Sequence, residues 1–291
     1  MESNNLHAAW DHYMENTSRP GDLYPPPIPC LPMEILILIF IYVKRDTPVY
    51  LIDSILHSLA RVSRKWRGII LGTPSLWTTI CDVPHAEKLI ARSGALPLQI
   101  VRTAEHGLGL LEYTSLVSSH IQRWDSCEIR GLTSERDETL SLSQNPAPAL
   151  QSLAISIYHN DGSIAFDADR YTSYMITFMV TAPRLRELTL NGVSIPWDSA
   201  LFASLTSLHL GYVEYWGPDS VCLLLGALRA STCLEYLCIE KLEVAMWFES
   251  ADVIKLPVQL AHLQLLHIKQ LQWLQHDLLP YIIIPPSSQL E

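Results

Sequence analysis

Basic side chains are the scarcer charge in this sequence. Twenty Lys and Arg stand against 30 Asp and Glu, a formal net charge of −10. A protein that tracks a phosphate backbone needs a positive surface, so no nucleic acid partner is expected. An acidic surface suits solubility or a basic protein partner instead. Cysteine is also thin. Cys30, Cys81, Cys127, Cys222, Cys233 and Cys238 are scattered along the 291 residues, and no two form a Cys-x-x-Cys pair. That spacing excludes a disulfide framework and does not match a zinc pattern, so neither a metal nor a cofactor is expected. No long apolar run lies within Met1–Trp10, so no secretory signal is expected. A reducing compartment follows, cytoplasmic or nuclear.

Long hydrophobic stretches are missing too. The most apolar segment, LPMEILILIFIYV at Leu31–Val43, contains Glu34 and is followed by Lys44, Arg45 and Asp46. A spanning helix needs about 20 apolar residues, so a buried helix is expected and a membrane span is not. Catalytic signatures are absent as well: there is no G-x-S-x-G elbow, no P-loop and no H-E-x-x-H. Gly107-Leu108-Gly109 lacks the third glycine of a dinucleotide loop. The chain is therefore expected to bind rather than catalyse.

What is present is apolar bulk, 48% of the residues, enough for a sizeable core in one large or two modest domains. Residues 1–30 are expected to be a polar N-terminus, with a weak helical turn near Ala8–Met14, followed by a proline-rich linker, PGDLYPPPIPC. A helical module is expected over 31–80. Pro32 suits the first helical position, and Glu34 lies where the helix dipole favours a negative charge. Ile35 to Val43 are apolar on nearly every side, whereas a surface helix has one apolar stripe. Such a helix must be covered on more than one side, and a partner protein is the natural cover. A second helical stretch starts from Asp53 as N-cap, with Ile55, Leu59, Val62, Trp66, Ile69 and Ile70 at helical spacing and a break near Ser63. Gly72-Thr73-Pro74 ends it, and Ser75–Ile80 reads as a short strand.

Residues 81–291 carry a different texture. The pattern L-x-x-L-x-L recurs at Trp124/Cys127/Ile129, Leu150/Leu153/Ile155, Leu185/Leu188/Leu190, Leu205/Leu208/Leu210, Leu234/Leu237/Ile239 and Leu263/Leu266/Ile268. A weaker seventh copy is Leu279/Ile282/Ile284. The steps between copies centre on the ~20–29 residues of a leucine-rich repeat. Alternation at the last positions is strand periodicity, so these strands are expected side by side and parallel. Two return segments read as helices: Val221, Leu224, Leu225 and Leu228, and Tyr171, Met175, Phe178 and Met179. The competing reading is another α/β fold with incidental leucines.

Residues 31–80 resemble an F-box domain. Leu31, Pro32, Glu34, Ile35, Leu36, Ile39 and Phe40 match its opening stretch, and Val62, Ser63, Arg64, Trp66 and Arg67 match its later helix. Thr73–Trp77, Arg92-Ser93-Gly94 with Pro97-Leu98, and Arg123-Trp124 look like later landmarks of fungal-type F-box families with C-terminal leucine-rich repeats. The stretch Lys44–Ser58 departs by being longer and containing Pro48. The resemblance implies a three-helix F-box followed by an irregular leucine-rich-repeat solenoid with a parallel sheet. It implies the substrate-recognition subunit of an SCF-type E3 ubiquitin ligase, docked on a Skp-type adaptor and through it on a cullin–RING ligase. Leu31, Pro32, Ile35, Leu36, Ile39, Phe40, Val62 and Trp66 would then touch the adaptor. An unknown protein substrate would lie on the concave sheet face, where Glu187, Thr189, His209, Tyr236, Cys238 and His267 are the candidate contacts. His209, Cys238 and His267 approach one another if the strands stack, but plain surface side chains are the simpler reading than a Cys–His pair. The other function left open is a leucine-repeat interaction scaffold with no ligase role. The chain ends soon after an apolar strand at Tyr281–Ile284, and no polar cap is evident for the last repeat.

Overall fold

Helix α1 spans Met33–Asp46, with Glu34 in its first turn and Lys44 and Arg45 in its last, both signs complementing the helix dipole. Pro32 is its N-cap, one place earlier than expected, and the Pro32 carbonyl accepts from Leu36 N. A 3-10 turn at Val49–Leu51 leads into α2, Ile52–Ala60. Leu51 occupies the α2 N-cap, not Asp53. The Asp53 carboxylate serves a longer-range contact instead, 2.7 Å from His85 Nε2. The break near Ser63 is present: α3 is Arg64–Leu71, and Ser63 Oγ caps it by accepting from Trp66 N. Gly72 closes it. The next residues differ from expectation: Pro74–Trp77 is a 3-10 turn, and only Thr79–Cys81 is extended, as β1. Pro74 starts the turn, and its fixed φ suits a helical first position better than a strand.

The structure is a computed structural model. It describes residues 31–103, 107–135, 145–165, 181–216, 220–245, 256–269 and 278–290. The turn at Ala8–Met14, the proline-rich linker and the Tyr171–Met179 helix lie outside them. Beyond β1 come α4 (Ala86–Arg92), β2 (Leu98–Arg102), α5 (Leu110–Ser118), β3 (Trp124–Leu132), β4 (Ser152–Tyr158), β5 (Glu187–Asn191) and β6 (Ser207–Trp216). Then follow α6 (Ser220–Ala230), β7 (Tyr236–Ala245), β8 (Val258–Gln259), β9 (Leu265–Lys269), β10 (Ile282–Ile283) and β11 (Gln289–Leu290).

Nine strands form one parallel sheet in the order β1-β2-β3-β4-β5-β6-β7-β9-β11. From β3 to β9 the leucine pattern sets the register. Cys127, Leu153, Leu188, Leu208, Leu237 and Leu266 pair in one row, and Ile129, Ile155, Leu190, Leu210, Ile239 and Ile268 in the next. All but Ile268 are buried. Each fully buried aliphatic side chain contributes roughly 1.5–3 kcal/mol, and a one-residue slip would turn a whole row outward, so the register is strongly specified. Helix α6 returns the chain as its spacing requires, with Val221, Leu224, Leu225 and Leu228 buried.

The seventh copy of the pattern does not join this sheet. Ile282–Ile283 pairs instead with Val258–Gln259 in a separate two-stranded sheet. Val258 belongs to the segment returning from β7 to β9, so Ile282 stands in the return layer of the following turn. The chain then bends at Pro285, whose carbonyl accepts from Ser288 N, and β11 pairs with β9. Sixteen residues separate Leu263 from Leu279, which is too short a step to return to the sheet.

The sheet also starts earlier than the pattern, at β1. A single cluster of buried side chains runs from Leu31 to Ile282 and includes Leu36, Phe40, Leu56 and Ile70 of the helices with Ile80, Ile100 and Ile129 of the sheet. Strand β1 straddles the expected boundary between residues 80 and 81, so the helical unit and the sheet share a core.

Candidate functional site

Two surfaces stand out. The first is the outer side of α1. At 3.6 residues per turn, Leu36 and Phe40 lie on one face, and Leu38, Ile41 and Arg45 lie roughly opposite. Leu36 and Phe40 are fully buried, and Phe40 packs edge-on against Trp66 at 5.0 Å. Leu31 is buried too, and its carbonyl accepts from Lys65 Nζ. These three residues serve the unit's own core. Pro32, Ile35, Ile39 and Trp66 are half-buried, and Val62 is 63% exposed. Met33, Leu38, Ile41, Tyr50, Leu51 and Leu71 are also left open to solvent, at 37–61% exposure. Of the eight residues expected at the adaptor, three are thus buried, four are half-buried and Val62 is exposed. A helical-wheel split between Leu36/Phe40 and Leu38/Ile41 would have separated the two sets.

The second surface is the sheet face between the leucine rows. Glu187, Ser207, Tyr236 and Leu265 pair in one row, and Thr189, His209, Cys238 and His267 in the next. The six residues expected on this face therefore come together in two adjacent rows. Glu187 and Tyr236 are exposed, and the other four are half-buried. A third row holds Arg130, Ser156, Asn191, Gly211, Glu240 and Lys269, with Asn191 Nδ2 donating to Ser156 Oγ at 3.2 Å. Glu240 lies on the same face as Cys238, as its spacing requires, and its Oε1 is 3.4 Å from His267 Nε2. Burial pushes the His209 imidazole below its usual pKa, with the Glu240 charge opposing the shift and His267 adding to it.

The two surfaces meet at a cleft of ≈ 570 Å³. Ile41, Lys44 and Arg45 of α1 form one wall, and Gln99, Ser126 and Glu128 of the first strands form the other. Lys44 Nζ donates to Ser75 O at 3.1 Å and Thr78 Oγ1 at 3.0 Å, fixing the end of α1 to the approach to β1. Burial lowers its pKa to about 8. Cys81 Sγ donates to Val49 O, and burial pushes that thiol up to about 12. Trp77 is buried, donates from Nε1 to Ile70 O at 2.8 Å, and carries the Arg92 guanidinium over its ring at 4.5 Å.

Cys127 is buried among apolar side chains with its pKa raised, and Cys238 is pushed up to about 11, so neither is an activated thiolate. No described helix is long and apolar enough to cross a membrane. No curated protein and no solved structure matches the chain. The F-box-like family model matches residues 28–82, the stretch that contains α1, α2, α3 and β1. An F-box-like domain therefore occupies residues 28–82, joined through β1 to the parallel sheet.

Proposed function

We propose that this chain is the substrate-recognition subunit of an SCF-type E3 ubiquitin ligase. In this reading α1, α2 and α3 are the F-box unit that docks on a Skp-type adaptor, and through it on a cullin–RING assembly in the cytoplasm or nucleus. The parallel sheet is an irregular leucine-rich-repeat solenoid whose open face holds a protein substrate. The chain itself performs no chemistry. It raises the effective concentration of substrate lysines near a loaded conjugating enzyme.

One observation carries the reading: the F-box-like match falls on the helix whose outer face is left apolar and uncovered. Met33, Leu38, Ile41 and Val62 keep 37–63% of their surface exposed, and a partner interface of ~1,600 Å² is the size that would bury such a patch. The test is co-purification with a Skp-type adaptor. Wild type should retain the adaptor, and Leu38→Asp/Ile41→Asp/Val62→Asp should lose it while keeping its far-UV circular dichroism. If the adaptor follows neither protein, the ligase reading fails, and a leucine-repeat scaffold without a ligase role takes its place.

A further inference from the structure

His209, Cys238 and His267 are far apart in sequence, but strand pairing sets them side by side. His209 pairs with Cys238 across β6 and β7, and Cys238 pairs with His267 across β7 and β9. Glu240 is two residues beyond Cys238, so it projects from the same face. The Cys238 thiol, a Glu240 carboxylate oxygen and a His267 ring nitrogen all lie within 4.8 Å of one another. Glu240 Oε1 and His267 Nε2 are 3.4 Å apart. Zinc bonds of about 2.0–2.3 Å place tetrahedral ligand atoms roughly 3.3–3.8 Å from each other. One edge of the cluster already has that length, and side-chain rotations of about 1 Å close the others.

The donors define the class of ion. Calcium takes about six to eight oxygens and magnesium an octahedral oxygen shell, so both are poorly served by one carboxylate. A thiolate, an imidazole and a carboxylate suit a borderline-soft cation. We infer that Cys238, Glu240 and His267 form a binding site for zinc or a chemically equivalent divalent cation on the open face of the sheet. His209, paired with Cys238 across β6 and β7, is the candidate for a fourth ligand. A Cβ on Gly211 would sit 3.0 Å from His209 Nε2, so the ring leans along β6 toward the Gly211–Glu240 rung. The same Cβ would overlap Asn191 Oδ1, so the absence of a side chain at Gly211 makes room for that amide beside the His209 ring. Just beyond, Tyr212 and Lys241 adopt left-handed φ values of 54° and 48°, and the row of donors ends there.

Binding replaces the Cys238 thiol proton, which passes to solvent, and neutralises the Glu240 carboxylate. Lys269, opposite Glu240 on β9, is the neighbouring positive group and yields to the ion. The site does not depend on the ligase reading, because it needs no adaptor.

The test is titration of the full chain with zinc against a competing chelator, and with cobalt(II) followed by absorbance. Wild type should take up one ion per chain and show a sulfur-to-cobalt charge-transfer band. Cys238→Ser should abolish the band, while Cys233→Ser leaves it unchanged. His267→Ala and the near-isosteric Glu240→Gln should each weaken zinc binding by at least about tenfold. Circular dichroism confirms that each variant folds. A wild type that takes up no ion, or a band that persists in folded Cys238→Ser, overturns the inference.

Discussion

Arg102 and Glu135 form the ion pair best suited to a quantitative test. The Arg102 side chain is only 3% exposed and that of Glu135 is 17% exposed. Arg102 donates to Glu135 through both terminal nitrogens, at 2.6 and 3.0 Å, and to the Arg130 carbonyl at 2.6 Å. The paired geometry is bidentate and charge-assisted, the stronger class of hydrogen bond. Glu135 also accepts from Leu110 N at the start of α5 and from Leu132 N at the end of β3. One carboxylate thus ties together the ends of β2 and β3 and the first turn of α5. Glu135→Ala would strand a buried guanidinium and two backbone donors, which should cost about 3–5 kcal/mol. Arg102→Met leaves a carboxylate that is nearer solvent and still holds two N–H groups, so its cost should be smaller, about 2–3 kcal/mol. In the double variant no charge is stranded, and the cost should fall short of the sum by about 1–3 kcal/mol. Urea denaturation followed by circular dichroism gives all four stabilities. Strict additivity, with a coupling below about 0.5 kcal/mol, would show that the pair is solvated and would refute this account.

Three further outcomes follow from burial. Leu36→Ala should lower stability by about 2–5 kcal/mol, whereas Val62→Ala should stay within about 0.5 kcal/mol, as thermal melts would show. If Val62→Ala were the costlier change, the assignment of inner and outer faces would be wrong. In iodoacetamide labelling mapped by mass spectrometry, exposed Cys233 should react first, and buried Cys81 and Cys127 only after unfolding. Early modification of Cys127 would contradict the packing. Stability should fall as pH rises above about 9, because Cys81, Cys127 and Tyr113 ionise less readily folded than unfolded. A raised folded pKa contributes stability below the unfolded pKa and loses it as pH climbs toward the folded one. For Cys81 that window runs from 9.0 to about 12. Lys44, lowered from 10.5 to about 8, acts the other way: stability rises between those values, because the folded chain has shed this proton while the unfolded chain still holds it. Cys81→Ala/Cys127→Ala should therefore flatten the alkaline loss, and an unchanged slope would remove these thiols as its cause.

Periodicity made much of this fold legible. From Trp124 to Ile268 the leucine spacing placed six strands that pair in one continuous register, and the apolar spacing of Val221–Leu228 placed α6. The pattern misled at Leu279/Ile282/Ile284, where the same residue types occupy the return layer rather than the sheet. Single-sequence spacing cannot tell those layers apart, since both bury aliphatic side chains against the same core. The edges were illegible for a related reason. Strands β1 and β11 are only three and two residues long, too short for alternation to register. On the sheet face, short Cys and His spacings carry no trace of the row that holds His209, Cys238 and His267, because its members lie one turn of the chain apart. His209, Cys238 and His267 step by 29 residues, the same step as Leu205, Leu234 and Leu263.

Under the proposed function, the join between the helices and the sheet matters, because a substrate receptor works by proximity. Such a receptor gains from holding its two partners at a fixed separation, and a loose tether would dilute the effect. Several independent contacts tie the helices and the turn before α2 to β1 and the segments that flank it. Lys44 holds Ser75 and Thr78, Asp53 holds His85, Cys81 bonds to Val49, and Trp77 bonds to Ile70. Trp77 and Ile80 are buried in the same cluster as Phe40 and Leu56. The uncovered face of α1 and the open face of the sheet are therefore two sides of one packed body. A partner bound to Leu38 and Ile41 would stand in a set geometry relative to His209 and Tyr236. Trp77→Ala would empty the centre of that join and should lower stability by about 3–5 kcal/mol in urea denaturation; a loss below about 1 kcal/mol would show that the join does not rest on this packing.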